Sequence, residues 1–252
     1  MPDSKPKKIL ILGGTAEAAA LAQGAVAALP ESVEVISSLA GRTRQPRALP
    51  GRLRVGGFGG GRGLADFIRA EDISLLIDAT HPFAEKISDH AHDACVITGI
   101  PRLMLVRPPW RLPPSGRWLE VPDMAAAAAA VVTLAKRVLL TTGTRQLEAF
   151  SNLPEQWFLV RMIDQPETPP PLINHQILIA RPPFDLASET ALLAEFEIDA
   201  LVSKQSGGAL PAKITAALET ATPIILIECP PPPPGNRAET VADCLAWIES
   251  QI

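Results

Sequence analysis

Lys8-Ile9-Leu10-Ile11-Leu12-Gly13-Gly14-Thr15-Ala16-Glu17-Ala18-Ala19-Ala20 is the stretch on which the fold turns. A short apolar run gives way to two glycines, a threonine and an alanine-rich segment. Such a run fits a strand covered on both faces. The segment Ala16 to Leu29 has the composition of a helix. Glycines at the corner let the backbone turn tightly and approach a phosphate. The helix that follows offers unpaired N–H groups and a partial positive charge. The full GxGxxG fingerprint is absent, but Ala16, Ala18 and Ala19 keep the next positions small enough for close packing.

Outward from this corner the chain keeps alternating. Val33 to Ser37, Leu53 to Val55, Ser74 to Asp78 and Arg102 to Val106 read as strands. Gly63 to Ala70 and Glu85 to Thr98 read as helices. Residues 107–116 are rich in proline, carry no periodicity and read as a linker. The second half repeats the pattern. Strands are predicted over 118–121, 137–141, 158–163, 176–180, 200–203 and 223–227, and helices over 124–135, 144–150, 187–196, 212–219 and 240–249. Strands separated by helices imply parallel sheets. The expected fold is α/β, with two Rossmann-like domains of parallel sheets flanked by helices and an active-site cleft between them. The expected domains are 1–112 and 113–252.

Composition narrows the function. The chain has 252 residues, 47% hydrophobic and 20% charged, as in globular proteins. A net charge of −4 argues against nucleic acid as a partner. Aromatics make up 4% with no Tyr, which removes stacking platforms for single strands and excludes a Tyr-xxx-Lys short-chain dehydrogenase. Cys95, Cys229 and Cys244 are odd in number and lack a CxxC pair, so buried free thiols are expected rather than a disulfide framework or a metal site. The longest apolar run, Met124 to Ala135, is far short of the roughly 20 residues of a membrane span. A cytoplasmic protein without membrane contact is expected.

Five more segments carry chemistry. Ser37-Ser38-Leu39-Ala40-Gly41-Arg42-Thr43-Arg44 ends the second strand without an acid. An acid there selects NAD through the ribose, whereas Arg accommodates the extra phosphate of NADP. Gly56-Gly57-Phe58-Gly59-Gly60-Gly61 holds five glycines in six positions and cannot be an element interior. Its one Phe suggests a shaped loop with an apolar contact, such as a lid over a ligand. Asp78-Ala79-Thr80-His81-Pro82-Phe83 lies beyond a strand's carboxyl end, the address at which α/β sheets bind ligands. His81 there could donate a proton or bind an anion. Ser203-Lys204-Gln205-Ser206-Gly207-Gly208, with Lys213 beyond it, is a second anion corner, and Thr141-Thr142-Gly143-Thr144-Arg145 a weaker third.

Gly13-Gly14-Thr15, Leu39-Ala40-Gly41-Arg42, Gly56-Gly57-Phe58-Gly59-Gly60, Asp78-Ala79-Thr80-His81-Pro82-Phe83, Arg107-Pro108-Pro109-Trp110, Thr142-Gly143 and Ser203-Lys204-Gln205-Ser206-Gly207-Gly208 occur in that order. In this the chain resembles the precorrin-6A reductases of cobalamin biosynthesis over nearly its whole length. It departs at Gln205, where the family often has Asn, and at Pro182, where it often has Gly. The resemblance implies that NADPH reduces a double bond of precorrin-6A, giving precorrin-6B, or does so on cobalt-precorrin-6A in the anaerobic pathway. It implies an NADP-binding first domain and a second domain on the tetrapyrrole side of the cleft. Cofactor contacts are then expected at Gly13, Gly14, Thr15, Glu17, Ser38, Arg42, Thr43, Gly57, Phe58, Gly59 and Thr80. Substrate contacts are expected at His81, Pro82, Phe83, Thr142, Arg145, Lys204, Ser206, Gly207 and Gly208, with His81 the candidate catalytic residue. Expected partners are the small-molecule tetrapyrrole and, transiently, neighbouring enzymes of the pathway. A non-catalytic NADP-binding module is the rival from another class, and the second domain's own corners weigh against it.

Overall fold

In the computed structural model, which describes residues 7–41 and 48–252, the chain forms two six-stranded sheets in which every paired strand is parallel. The first is entered through β1 (Lys8–Leu12), α1 (Ala16–Ala28), β2 (Glu34–Leu39), β3 (Arg52–Val55), α2 (Gly61–Glu71), β4 (Leu75–Asp78), α3 (Glu85–Thr98) and β5 (Arg102–Leu105). The chain then runs through β6 (Trp118–Val121), α4 (Met124–Leu134), β7 (Arg137–Leu140), a 3₁₀ turn at Leu147–Phe150, β8 (Trp157–Met162), β9 (His175–Ile179), α5 (Leu186–Glu195), β10 (Ala200–Lys204), α6 (Ala212–Glu219) and β11 (Ile224–Ile227). It ends in β12 (Asn236–Ala238) and α7 (Val241–Gln251).

The sheet orders are β3-β2-β1-β4-β5-β12 and β9-β8-β7-β10-β11-β6. Each is the 3-2-1-4-5-6 order of dinucleotide-binding folds. In each, the sixth place is filled from outside the consecutive run: β12 comes from the chain's end, and β6 precedes the strand in first place. The α/β reading with two parallel, helix-flanked sheets is therefore correct. Its boundaries are not. One compact unit holds the described residues up to Pro108 together with Pro230–Ile252, and the other holds Pro109–Cys229. Assigning all of 113–252 to the second domain misplaced the last strand and helix.

The return has clear physical causes. Buried Arg102 donates from Nη2 to Pro234 O at 2.5 Å, and Val106 N donates to Ala238 O. Gly24 lets α7 lie close on α1: a Cβ there would meet Leu245 Cδ1 at 2.8 Å. Ile9, Ile11, Leu21, Ala25, Cys244 and Ile248 form the core beneath α1 and α7. Leu10, Leu12, Leu64, Ile68, Leu76 and Cys95 form the one on the opposite face, beneath α2 and α3. Burial pushes the thiols of Cys95 and Cys244 up to about 11 and about 12, so both stay protonated and inert. Cys229, expected inside, is exposed.

The helix predicted over 144–150 shrinks to the 3₁₀ turn. Gln146 adopts a left-handed φ of 61° that an α-helix cannot include, and Leu147 and Phe150 bury themselves at the spacing of three that a 3₁₀ turn stacks. Among the described residues no helix is long and apolar enough to cross a membrane.

Candidate active site

The first site is built where β1, β2 and β4 end side by side. Leu12 pairs with Ser38 and with Asp78, so the residues beyond these three strands converge. The strand order reverses between β1 and β4, and crevices at such switch points are where open α/β sheets bind ligands. Gly13 N donates to Ser38 O at 2.9 Å and fixes the start of the turn. Gly14 turns the chain with φ +114°, which L side chains rarely adopt, and a Cβ there would meet nothing within 4 Å. The space over the corner is open.

Thr15 then caps α1. Its Oγ1 accepts from Ala18 N at 3.0 Å and donates to Ala79 O at 2.9 Å. A cap of this kind contributes about 1 kcal/mol and leaves the N–H groups of the first two helical residues without intrahelical acceptors. A glycine cradle, open space and a helix N-terminus are what a pyrophosphate requires. Glu17, in the first turn, accepts from Arg107 Nη1 at 2.9 Å, so its charge is matched. Arg107, beyond β5, is a residue that the motif reading left out of the site. Its Nη2 is buried without a partner.

The β4 end is stiffened from within. Asp78 is buried, and its Oδ1 accepts from Thr80 N at 3.1 Å and from Thr80 Oγ1 at 2.6 Å. Its Oδ2 has no partner. His81 is exposed, and its Nδ1 accepts from Phe83 N at 3.3 Å. In the neutral ring this puts the proton on Nε2.

The glycine-rich loop differs from the expectation. Arg54 donates to Gly56 O and Gly57 O, approaches Ser38 Oγ at 3.3 Å, and lies over the Phe58 ring at 3.7 Å. Phe58 packs edge-on against Phe67 and joins the core beneath α2. It acts as an anchor in its own unit, not as a lid. A Cβ on Gly63 would meet Phe58 O at 1.8 Å, so this close approach needs glycine. Arg42 and Thr43 lie outside the described residues.

The second unit has its own switch point, between β7 and β10. Thr141 N donates to Val202 O at 3.1 Å, and Gly143, Gly207 and Gly208 take φ of +80°, +64° and +81°. Thr142 is buried, Arg145 exposed, and Lys204 and Ser206 partly exposed. Gln205 turns inward: Trp110 N donates to its Oε1 at 3.1 Å, and its Nε2 donates to Trp110 O at 3.3 Å. The departure from Asn therefore falls on a backbone bracket. The motifs named Lys213 beyond this corner but missed Arg161 and Glu189, which lie around it with Lys213. A cation inside a strand and an acid in a helix's first turn carry no local signature; only the sheet order brings them together. Among the described residues no group of three His, Cys, Asp or Glu is placed to hold a metal.

A 3-2-1-4-5-6 sheet with an open glycine corner at its switch point defines an α/β protein of the dinucleotide-dependent kind. Comparison with known proteins narrows the class. Residues 8–249 match the family model of precorrin-6x reductases, CbiJ/CobK. A precorrin-6A reductase from Rhodococcus erythropolis is 46% identical over 243 residues, covering 96% of this chain and 97% of the relative. A cobalt-precorrin-6A reductase from a Synechocystis species is 28% identical, with 97% of each covered. The solved structure of CobK precorrin-6A reductase superposes with a TM-score of 0.90 at 40% identity, covering 97% of both chains. The chain belongs to the precorrin-6x reductase family. It is an oxidoreductase, and a reductase of this family implies a nicotinamide cofactor.

Proposed function

We propose that the protein reduces precorrin-6A to precorrin-6B with NADPH as hydride donor. The observation that carries this is the open corner at Gly14, ringed by the ends of β1, β2 and β4, in a chain 46% identical to a precorrin-6A reductase. When bound, NADPH supplies a hydride to one carbon of the double bond, and a proton completes the reduction at the other. Gly13, Gly14 and Thr15 hold the pyrophosphate, and Glu17 is kept from repelling it by Arg107. Ser38, Arg42 and Thr43 take the 2′-phosphate end of the ribose. Gly57 and Gly59 flank that position, while Phe58 anchors the loop.

Thr80, held by Asp78, and His81 lie near the nicotinamide or the macrocycle. His81, as the imidazolium, gives up one proton to leave the neutral ring whose Nδ1 accepts from Phe83 N, and it is reprotonated from solvent. Pro82 and Phe83 give apolar surface for the ring. In the second unit Thr142, Arg145, Lys204, Ser206, Gly207 and Gly208 receive the substrate's carboxylates, which suit cationic side chains and loop N–H groups. Reduction of the cobalt-bearing macrocycle is the second reading. The greater identity to the metal-free relative favours precorrin-6A.

An anaerobic assay with metal-free and cobalt-bearing substrate in parallel tests this. NADPH oxidation with a product two hydrogens heavier is expected with precorrin-6A. No oxidation with either substrate contradicts the reading.

A further inference from the structure

We infer that Arg102, His92 and Asn236 form a second anion site in the first unit, at the amino edge of its sheet, which takes one phosphate or carboxylate carried on a small apolar body. The register sets it apart from the cofactor corner. Arg102 opens β5 and pairs with Leu76, whereas Thr15 and Thr80 lie beyond the carboxyl ends of β1 and β4. Open α/β sheets bind their ligands at the carboxyl edge, so the fold assigns nothing to the other one. A cleft of about 340 Å³ nonetheless opens there, between the end of α3 and the chain that enters β12. That is the lower end of the roughly 300–1,000 Å³ of small-molecule sites.

The cleft is built on a cation. Arg102, which lines it, is 7% exposed. Its Nη2 donates to Pro234 O at 2.5 Å and lies 3.5 Å from His92 Nδ1. Among the described residues Nη1 is buried without a partner, and no carboxylate forms an ion pair with the guanidinium. Asp78 stands on the same sheet face, two positions toward the carboxyl edge, but its hydrogen bonds go to Thr80. Arg keeps its proton in proteins, and buried charge is ordinarily matched. Residues 230–234 are all proline. They offer carbonyls and no N–H, so this stiff entry accepts from the cation and supplies no counter-charge. Gly235 then fits the guanidinium closely: a Cβ there would stand 2.9 Å from Nη2.

The remaining lining fits one oxyanion. Because Arg102 only donates, His92 Nδ1 accepts, and in the neutral ring the proton lies on Nε2. His92 and Asn236 thus add neutral donors beside the guanidinium. Val96 and Ile100 supply an apolar wall, with Val96 71% exposed. A single cation flanked by neutral donors and aliphatic side chains suits one charged head on an apolar body, not a polyanion.

The test is independent of the tetrapyrrole. Phenyl phosphate and benzoate share a ring and differ in the oxyanion, so they tell the two heads apart. Each is titrated by calorimetry into the protein saturated with NADP⁺, which keeps the corner at Gly14 occupied. At least one should bind more tightly than about 1 mM. Val96→Glu sets a carboxylate beside the cleft at an exposed position and should weaken binding roughly tenfold, while Val96→Lys should strengthen it. Arg102→Met should abolish binding. If that variant also loosens the return of β12, the two Val96 variants still decide. No binding of either probe to the NADP⁺-saturated wild type overturns the inference. So does binding that neither Val96→Glu nor Val96→Lys changes.

Discussion

The two units share one strand order and differ at the corner that follows the central strand. In the first, Gly13-Gly14-Thr15 opens into the 13-residue α1, capped by Thr15 and tied to β4 through Ala79. Its positive potential comes from backbone. In the second, Thr142-Gly143-Thr144 leads only to the 3₁₀ turn at Leu147–Phe150, so the chain does not run straight from that corner into an α-helix. Cations stand there as side chains instead: Arg161 and Lys213 within, Arg145 outside. A backbone cradle suits a phosphate of fixed shape. Side-chain cations suit carboxylates on flexible arms. The same sheet order thus frames two chemically different corners, and fold alone does not say what each one binds.

Substitutions can break this proposed division of labour, and the largest effect is expected at the proposed proton donor. His81→Ala lowers kcat by roughly 100-fold or more, the usual contribution of a positioned acid, with NADPH affinity unchanged. Unchanged turnover would make His81 a structural residue. Gly14→Val forces a β-branched residue to φ +114° and fills the open corner. At about 1–3 kcal/mol of strain, NADPH affinity should fall roughly 10- to 100-fold, whereas Gly143→Val leaves it unchanged. Equal loss in both would erase the distinction between the corners. Arg42→Ala should raise the KM for NADPH roughly tenfold and that for NADH hardly at all. A parallel change in both would remove Arg42 from the 2′-phosphate.

The smallest effect is on stability. Lys213 binds its proton less readily folded than unfolded, so the unfolded chain holds more protons between about pH 7 and the ordinary lysine range. Stability should therefore rise across that window. Lys213→Met should raise Tm by a few degrees at pH 6, where the cost of the buried charge is fully present, and by much less at pH 10. A lower Tm at pH 6 would show that Lys213 holds this corner together.

Much of this was legible in the sequence. Lys8 to Thr15 announced a strand, a tight turn and a helix, because continuous apolar residues, glycines and alanines each leave a local mark. The strands that end at Asp78 and Lys204 were legible for the same reason. Asn236–Ala238 was not found: three residues after a proline run show no period, and their partner β5 lies far back in the chain. That blindness misplaced the domain boundary. Phe58 was misread because glycines signal a loop without saying which way its one aromatic points. Arg161, Glu189 and Lys213 were invisible as a group, since three charges on three elements meet only through the sheet order.

The contrast between the corners is tested most directly by measuring NADPH Kd and precorrin-6A KM in Gly14→Val and Lys213→Met side by side at pH 6. Gly14→Val should weaken NADPH and Lys213→Met should not, while Lys213→Met alone raises the KM for precorrin-6A at saturating NADPH. If Lys213→Met weakens NADPH as Gly14→Val does, or leaves both constants unchanged, the two corners do not divide the ligands in this way.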